Sequence, residues 1–166
     1  MVDLSSHIRR GHPITFLTFT IISFIVAVIA STLVTDYNSK NNAPSMGVEN
    51  AVRFLVFAGW WGFLFSIIYV GLFLTGKGGV ITSIAGHGIW IFVTWVFWMA
   101  GAAALTDRIG GGQDCGNSFL VYCNSTSALM AFAWIGWIIL TFMLAVVAFI
   151  GGGAFRGGKS VKEGLA

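Results

Sequence analysis

Apolar residues are concentrated in four long stretches, which short polar segments separate. The stretches cover residues 14–34, 51–75, 84–105 and 127–150. As a helix, each is long enough to cross the roughly 30 Å hydrocarbon core of a bilayer. Inside them the only Asp, Glu, Lys, Arg or His side chains are Arg53 and His87, both close to an end. The pattern predicts an all-α membrane protein, a left-handed antiparallel bundle of four transmembrane helices.

The composition leaves little room for a second, soluble domain. Of the 166 residues, 57% are hydrophobic and 9% are charged, and no linker or internal repeat separates the stretches. We therefore expect one membrane domain over residues 1–166.

Lys and Arg are distributed unequally between the two ends of the predicted bundle. Six of the nine fall on the side of the termini and the second loop: Arg9, Arg10, Lys77, Arg156, Lys159 and Lys162. Lys40, Arg53 and Arg108 fall on the other side. Because short cytoplasmic segments carry an excess of Lys and Arg, both termini are predicted to be cytosolic. The protein would then lie in the plasma membrane or a membrane of the secretory pathway.

Both cysteines, Cys115 and Cys123, fall in the third loop, on the predicted oxidising side. Their spacing favours a disulfide, and closing so short a ring contributes about 2–3 kcal/mol. Two free thiols or a metal-binding pair are the alternatives, although the loop has no His to complete a metal site. The next residue, Asn124, begins an N-glycosylation sequon, Asn124-Ser125-Thr126. Its alternative role is that of an ordinary loop or helix-capping residue.

Small residues recur at helical spacing in the first two stretches. Helices associate in lipid largely through small residues, which let their backbones approach closely. The predicted helix-packing positions are Ser23, Ala27, Ser31, Gly59, Gly62 and Ser66. They would either pack the bundle internally or form a face for another copy or another protein.

Six of the seven tryptophans lie at one predicted depth, about 10–15 Å below the outer helix ends. They are Trp60, Trp61, Trp95, Trp98, Trp134 and Trp137. Because Trp prefers the membrane–water interface, we expect an outer aromatic layer there, with helices that extend beyond the lipid. Packing in the bundle core and a flat surface for a sterol or an acyl chain are the alternatives.

The predicted helix interiors carry little reactive chemistry. An ionisable residue at mid-depth is the usual sign of transport or catalysis, and this sequence has none there. His87, near a helix start, is more typical of interfacial or packing histidines than of a proton relay. No cluster of residues suits a catalytic site, a metal or a cofactor. We therefore expect a non-enzymatic protein without a cofactor or nucleic-acid partner, although a bound lipid or sterol is compatible with the sequence.

Several segments together resemble the MARVEL family of four-span membrane proteins, especially its fungal members. The resemblance covers residues 14–150 and includes the short second loop. It rests on Trp98-Met-Ala-Gly-Ala-Ala-Ala-Leu-Thr-Asp107, on Cys115 and Tyr122-Cys123, and on Ala128-Leu-Met-Ala-Phe-Ala-Trp-Ile-Gly-Trp137. The resemblance implies a role in organising membrane microdomains, in vesicle trafficking or in membrane apposition, and implies no catalytic residue.

Three functions are therefore compared. The first is a membrane organiser that self-associates and contacts lipid through its helix faces. The second is an accessory subunit that stabilises a larger membrane enzyme or transporter. The third, an oligomeric pore or transporter, needs a polar path, for which Thr18, Ser23 and Ser31 are the candidate lining.

Overall fold

The computed structural model describes residues 4–75, 84–112, 114–118 and 120–156, and side chains within 14–72, 88–112, 114–118 and 120–149. The described chain forms four helices and no strand. They are α1 (Leu4–Lys40), α2 (Met46–Thr75), α3 (Ile84–Ile109) and α4 (Cys123–Arg156). Each contains a stretch that is long and apolar enough to cross a membrane. The predicted fold class, an all-α membrane protein, is confirmed.

Helices that are consecutive in the sequence pack against each other, and α4 also contacts α1. The contacts between α2 and α3 run in opposite directions along the two helices. Gly47 of α2 lies beside Arg108 of α3, whereas Trp61 lies beside Thr94. The α1–α2 loop and the α3–α4 loop consequently share one end of the bundle, which we call the disulfide end.

All four helices are longer at the disulfide end than the apolar stretches predict. There α1 and α3 end at Lys40 and Ile109, and α2 and α4 begin at Met46 and Cys123. Each limit lies four to six residues beyond the predicted span. The predicted spans underestimate the helices because hydropathy reports contact with lipid, whereas a helix continues until its backbone is capped.

Local capping explains two of these limits. The Ser45 hydroxyl accepts a hydrogen bond from the Val48 amide at 3.2 Å, and thereby caps the start of α2. At the end of α3, Gly110 and Gly111 have φ values of 76° and 91°, and the Gly111 amide donates to the Thr106 carbonyl at 2.9 Å. Glycine adopts this left-handed conformation without steric cost, so α3 ends there.

The outward faces of the helices are apolar, as contact with lipid requires. On α1 the exposed large residues follow helical spacing: Ile14, Leu17, Ile21, Phe24 and Val28. Phe19 and Trp98 are fully buried, and their rings lie 5.2 Å apart in the interior. Fold and surface together define an integral membrane protein.

Several residues of the predicted charge asymmetry lie outside the described part of the chain. These are Lys77, Lys159 and Lys162, together with the side chains of Arg9, Arg10, His87 and Arg156. The predicted orientation and the predicted role of His87 stay predictions.

Candidate functional site

The six predicted packing residues all lie along the interface between α1 and α2. A Cβ added to Gly59 would be 2.7 Å from the backbone nitrogen of Ala27, so the two helices touch backbone to backbone there. One turn further along, a Cβ on Gly62 would be 2.8 Å from the Ser23 hydroxyl oxygen. The Thr20 hydroxyl donates to the Ser66 hydroxyl at 2.9 Å. The remaining member, Ser31, accepts a hydrogen bond from an α2 side chain, described next.

Four of the six tryptophans at the common predicted depth donate their indole N–H to a hydroxyl group on a neighbouring helix. The Trp60 indole donates to Ser31 at 3.3 Å, and the Trp61 indole donates to Thr94 at 3.1 Å. Trp95 and Trp134 make equivalent hydrogen bonds between α3 and α4. The Trp95 N–H donates to Thr141 at 2.8 Å, and the Trp134 N–H donates to Thr106 at 2.9 Å. These bonds link three pairs of neighbouring helices: α1 with α2, α2 with α3, and α3 with α4.

The other two tryptophans pack in the interior without such a bond. Trp98 is fully buried, and its six-membered ring lies against the backbone of Gly136. Among the described residues the Nε1 atoms of Trp98 and Trp137 have no hydrogen-bond partner. Trp60, by contrast, is 38% exposed on the outer face. The six tryptophans therefore occupy different environments, and an interfacial layer stays a prediction.

A groove lies between α2 and α3 at the disulfide end. It has a volume of about 340 Å³. Its lining residues are Gly47, Asn50, Ala51, Phe54, Ala100, Ala104 and Arg108. The seven residue steps from Gly47 to Phe54 correspond to about 10 Å along the helix axis. The groove is thus two turns long, with an apolar floor of glycine and alanine, an aromatic ring at one end and a cation at the other.

Sequence reasoning did not identify this groove. Its signal is a small residue every four positions on both helices, Gly47 and Ala51 on α2 and Ala100 and Ala104 on α3. Such spacing places small side chains on one helix face but does not indicate which face is left uncovered. That depends on how α2 and α3 pack against the rest of the bundle.

The cations of the disulfide end differ in their partners. The Arg53 guanidinium donates to the Glu49 carboxylate, one turn away, and also to the Asn38 side chain at 2.9 Å. Arg108 lies at the groove instead, where its Nε is 3.8 Å from the Asp107 carboxylate. Because 3.8 Å is too long for a hydrogen bond, this acid neutralises Arg108 only weakly.

Lys40 connects the two loops of the disulfide end. Its ammonium donates to the Tyr122 hydroxyl at 2.7 Å and lies 3.3 Å from the Asp36 carboxylate. The hydrogen bond from Lys40, together with one from Asn42, lowers the pKa of the Tyr122 phenol. The next residue is Cys123, whose disulfide with Cys115 is confirmed, with Cα atoms 5.6 Å apart.

The predicted glycosylation site lies in the first turn of α4. The Asn124 side chain is exposed, but the Thr126 hydroxyl of the same sequon is buried, 3.4 Å from the Tyr37 hydroxyl. Modification of Asn124 stays a prediction. Among the described residues, no group of three or more His, Cys, Asp or Glu side chains could hold a metal ion.

Fold and site together define the class of protein: an integral membrane protein built as a four-helix bundle, with a disulfide-closed loop and an open groove at one end. Comparison with known proteins finds no matching family model, no matching curated protein and no matching solved structure. The resemblance to the MARVEL family therefore stays a prediction.

Proposed function

We propose that this protein is a non-enzymatic organiser of membrane microdomains or membrane trafficking, which acts by self-association and by lipid contact through its helix faces. This is the role that the resemblance to the MARVEL family implies. The observation that carries the proposal is the open α2–α3 groove, whose exposed alanines, Ala100 and Ala104, leave space for a close neighbour. Small residues on an uncovered transmembrane face permit close approach of another helix or of a lipid chain.

The filled interior favours this function over a pore. The candidate pore lining does not share one face of α1: Thr18 is exposed and bonds to its own helix, whereas Ser23 is buried against α2. On the inner side, Phe19 and Trp98 pack ring against ring across the bundle. A polar path through the interior of the bundle would have to pass through these rings.

We also propose that the disulfide end faces the lumen or the outside and that both termini are cytosolic. The support is the Cys115–Cys123 disulfide, since disulfides persist in oxidising compartments. The charge asymmetry of the sequence supports the same orientation. The membrane would be the plasma membrane or one of the secretory pathway.

Reconstitution of the purified, fluorescently labelled protein into giant vesicles tests the proposal. We expect clusters of several copies, counted by photobleaching steps, whose distribution changes when sterol and sphingolipid are added. Single copies distributed uniformly in both kinds of vesicle would contradict the proposal. Affinity purification from the native membrane tests the accessory-subunit function, for which one stoichiometric partner is expected.

A further inference from the structure

We propose that the α2–α3 groove binds one anionic glycerophospholipid, with an acyl chain along its floor and the phosphate against Arg108. This inference rests on the proposed function, since it assigns a lipid class to one of the lipid contacts. Three features of the groove support it: its floor, its mouth and its charge.

The floor suits a hydrocarbon chain. It is apolar, two helical turns long and bounded by the ring of Phe54. A volume of about 340 Å³ lies at the lower end of the range for small-molecule sites, about 300–1,000 Å³. The glycine and alanine side chains leave room for a chain to lie between the two helices in van der Waals contact with both.

The mouth of the groove suits a lipid headgroup better than it suits a helix of another chain that would lie along the groove. The Arg108 side chain lies across Gly47, so close that a Cβ on this glycine would be 2.8 Å from the Arg108 Cδ. A helix, about 10–12 Å across, would have to displace this side chain in order to continue along the groove. A phosphate would instead meet the guanidinium near the end of α3, just beyond the apolar stretch 84–105.

The charge of the mouth favours an anionic headgroup. Arg53 and Lys40 are each held by a carboxylate and a further polar side chain, whereas among the described residues Arg108 has only the distant Asp107 carboxylate described above. A guanidinium forms paired, charge-assisted hydrogen bonds with a phosphate. Asn50, one turn deeper, adds an amide that can donate to the ester oxygens of a glycerophospholipid.

The test measures the thermal unfolding midpoint of the full chain in detergent micelles during titration with phosphatidylglycerol or with phosphatidylcholine. We expect phosphatidylglycerol to raise the midpoint of the native sequence in a saturable manner and phosphatidylcholine to raise it much less. Arg108→Gln should weaken the apparent affinity for phosphatidylglycerol about tenfold or more. Arg53→Gln, which removes the same charge at the same end, should leave the affinity within about twofold.

Substitutions that fill the groove provide an independent test. Ala104→Leu places a larger side chain on the floor and should abolish the preference for phosphatidylglycerol, whereas Ala103→Leu, on an exposed face outside the lining, should not. If Ala104→Leu fails to fold, the comparison of Arg108→Gln with Arg53→Gln decides the question alone. Native mass spectrometry should then show one retained phosphatidylglycerol per chain, which Arg108→Gln loses.

Three outcomes would overturn the proposal. The first is equal affinity of the Arg108→Gln and Arg53→Gln variants. The second is an equal shift with inorganic phosphate alone, which would mean that the acyl chain contributes nothing. The third is a dimer that Ala104→Leu dissociates without any lipid preference, which would make a second copy the occupant. Absence of clusters in vesicles would contradict the proposed function but would leave these affinities unchanged, so the two failures are distinguishable.

Discussion

Substitution of Gly136 by alanine should destabilise the bundle by about 2 kcal/mol. The added Cβ would lie 2.5 Å from the Trp98 Cε3 and 2.8 Å from its Cη2, well inside van der Waals contact. The indole cannot rotate away easily, because it is fully buried and also packs against Phe19. Either the ring or the whole of α4 has to move.

The magnitude combines two opposing effects. Insertion of extra volume into a well-packed core costs about 1–3 kcal/mol, and the close contacts with a rigid ring place Gly136→Ala at the upper end of that range. Alanine favours the helix over glycine by about 1 kcal/mol, which offsets part of the cost. A net loss of about 2 kcal/mol corresponds to a fall of about 4–8 °C in the unfolding midpoint of a chain of this size.

Thermal unfolding in detergent measures the effect, with Gly71→Ala as the matched control. Outside its own helix backbone, no described residue has a heavy atom within 4 Å of a Cβ placed on Gly71, so this variant should be neutral or slightly stabilised. Trp98→Phe removes the ring atoms that Gly136→Ala would meet. The double variant should therefore lose less stability than the sum of the two single variants. A Gly136→Ala protein as stable as the Gly71→Ala protein would refute the reasoning.

Three further predictions concern the helix contacts and the disulfide end. Gly59→Ala should lower the unfolding midpoint because its Cβ meets the backbone of α1, which cannot move without separating the helices. Thr94→Val should cost about 0.6–1.7 kcal/mol, measured by unfolding in detergent, because it leaves the Trp61 N–H unpaired. Lys40→Met should move the Tyr122 titration, followed by tyrosinate absorbance, to higher pH, because it removes the hydrogen bond that lowers this pKa.

Each of these three predictions has a control variant or a result that would contradict it. Gly62→Ala should cost less than Gly59→Ala, because the nearest atom is the Ser23 hydroxyl, which can rotate away. A Thr94→Ser protein should retain the stability that Thr94→Val loses if the hydrogen bond is responsible.

For Tyr122 the folded pKa lies below the unfolded value of about 10. Its contribution to stability is therefore complete above that pH and is lost as the pH falls through the folded pKa. An unchanged titration in the Lys40→Met variant would contradict the assigned cause.

The fold was predictable because lipid imposes simple requirements on length and polarity. The positions of the helix ends were less predictable, because polar residues such as Asp36 and Lys40 continue α1 beyond its apolar stretch. The close approach at Gly59 follows the spacing of small residues. Its partner, Ala27, is likewise one of the positions that this spacing indicates.

The tryptophan contacts and the groove could not be predicted from the sequence, for a different reason. Depth along a helix can be counted in residues, but the direction that a side chain faces depends on how each helix is rotated in the bundle. Trp60 and Trp98 share a predicted depth, yet one is partly exposed and the other fully buried. Prediction of the groove would likewise require the relative positions of two helices and of the Arg108 side chain. Residue spacing alone does not determine these positions.

The length of the helices has a consequence for the membrane that the protein prefers. The apolar stretches of α2 and α4, residues 51–75 and 127–150, are 25 and 24 residues long, about 36–38 Å, whereas an average hydrocarbon core is about 30 Å. In such a bilayer the helices must tilt or extend into the headgroup region, and either response costs a fraction of a kcal/mol per Å of mismatch. That cost falls as the bilayer thickens. Hydrophobic mismatch alone would therefore concentrate the protein in the thicker, sterol-rich regions of a membrane, without any site that recognises a sterol.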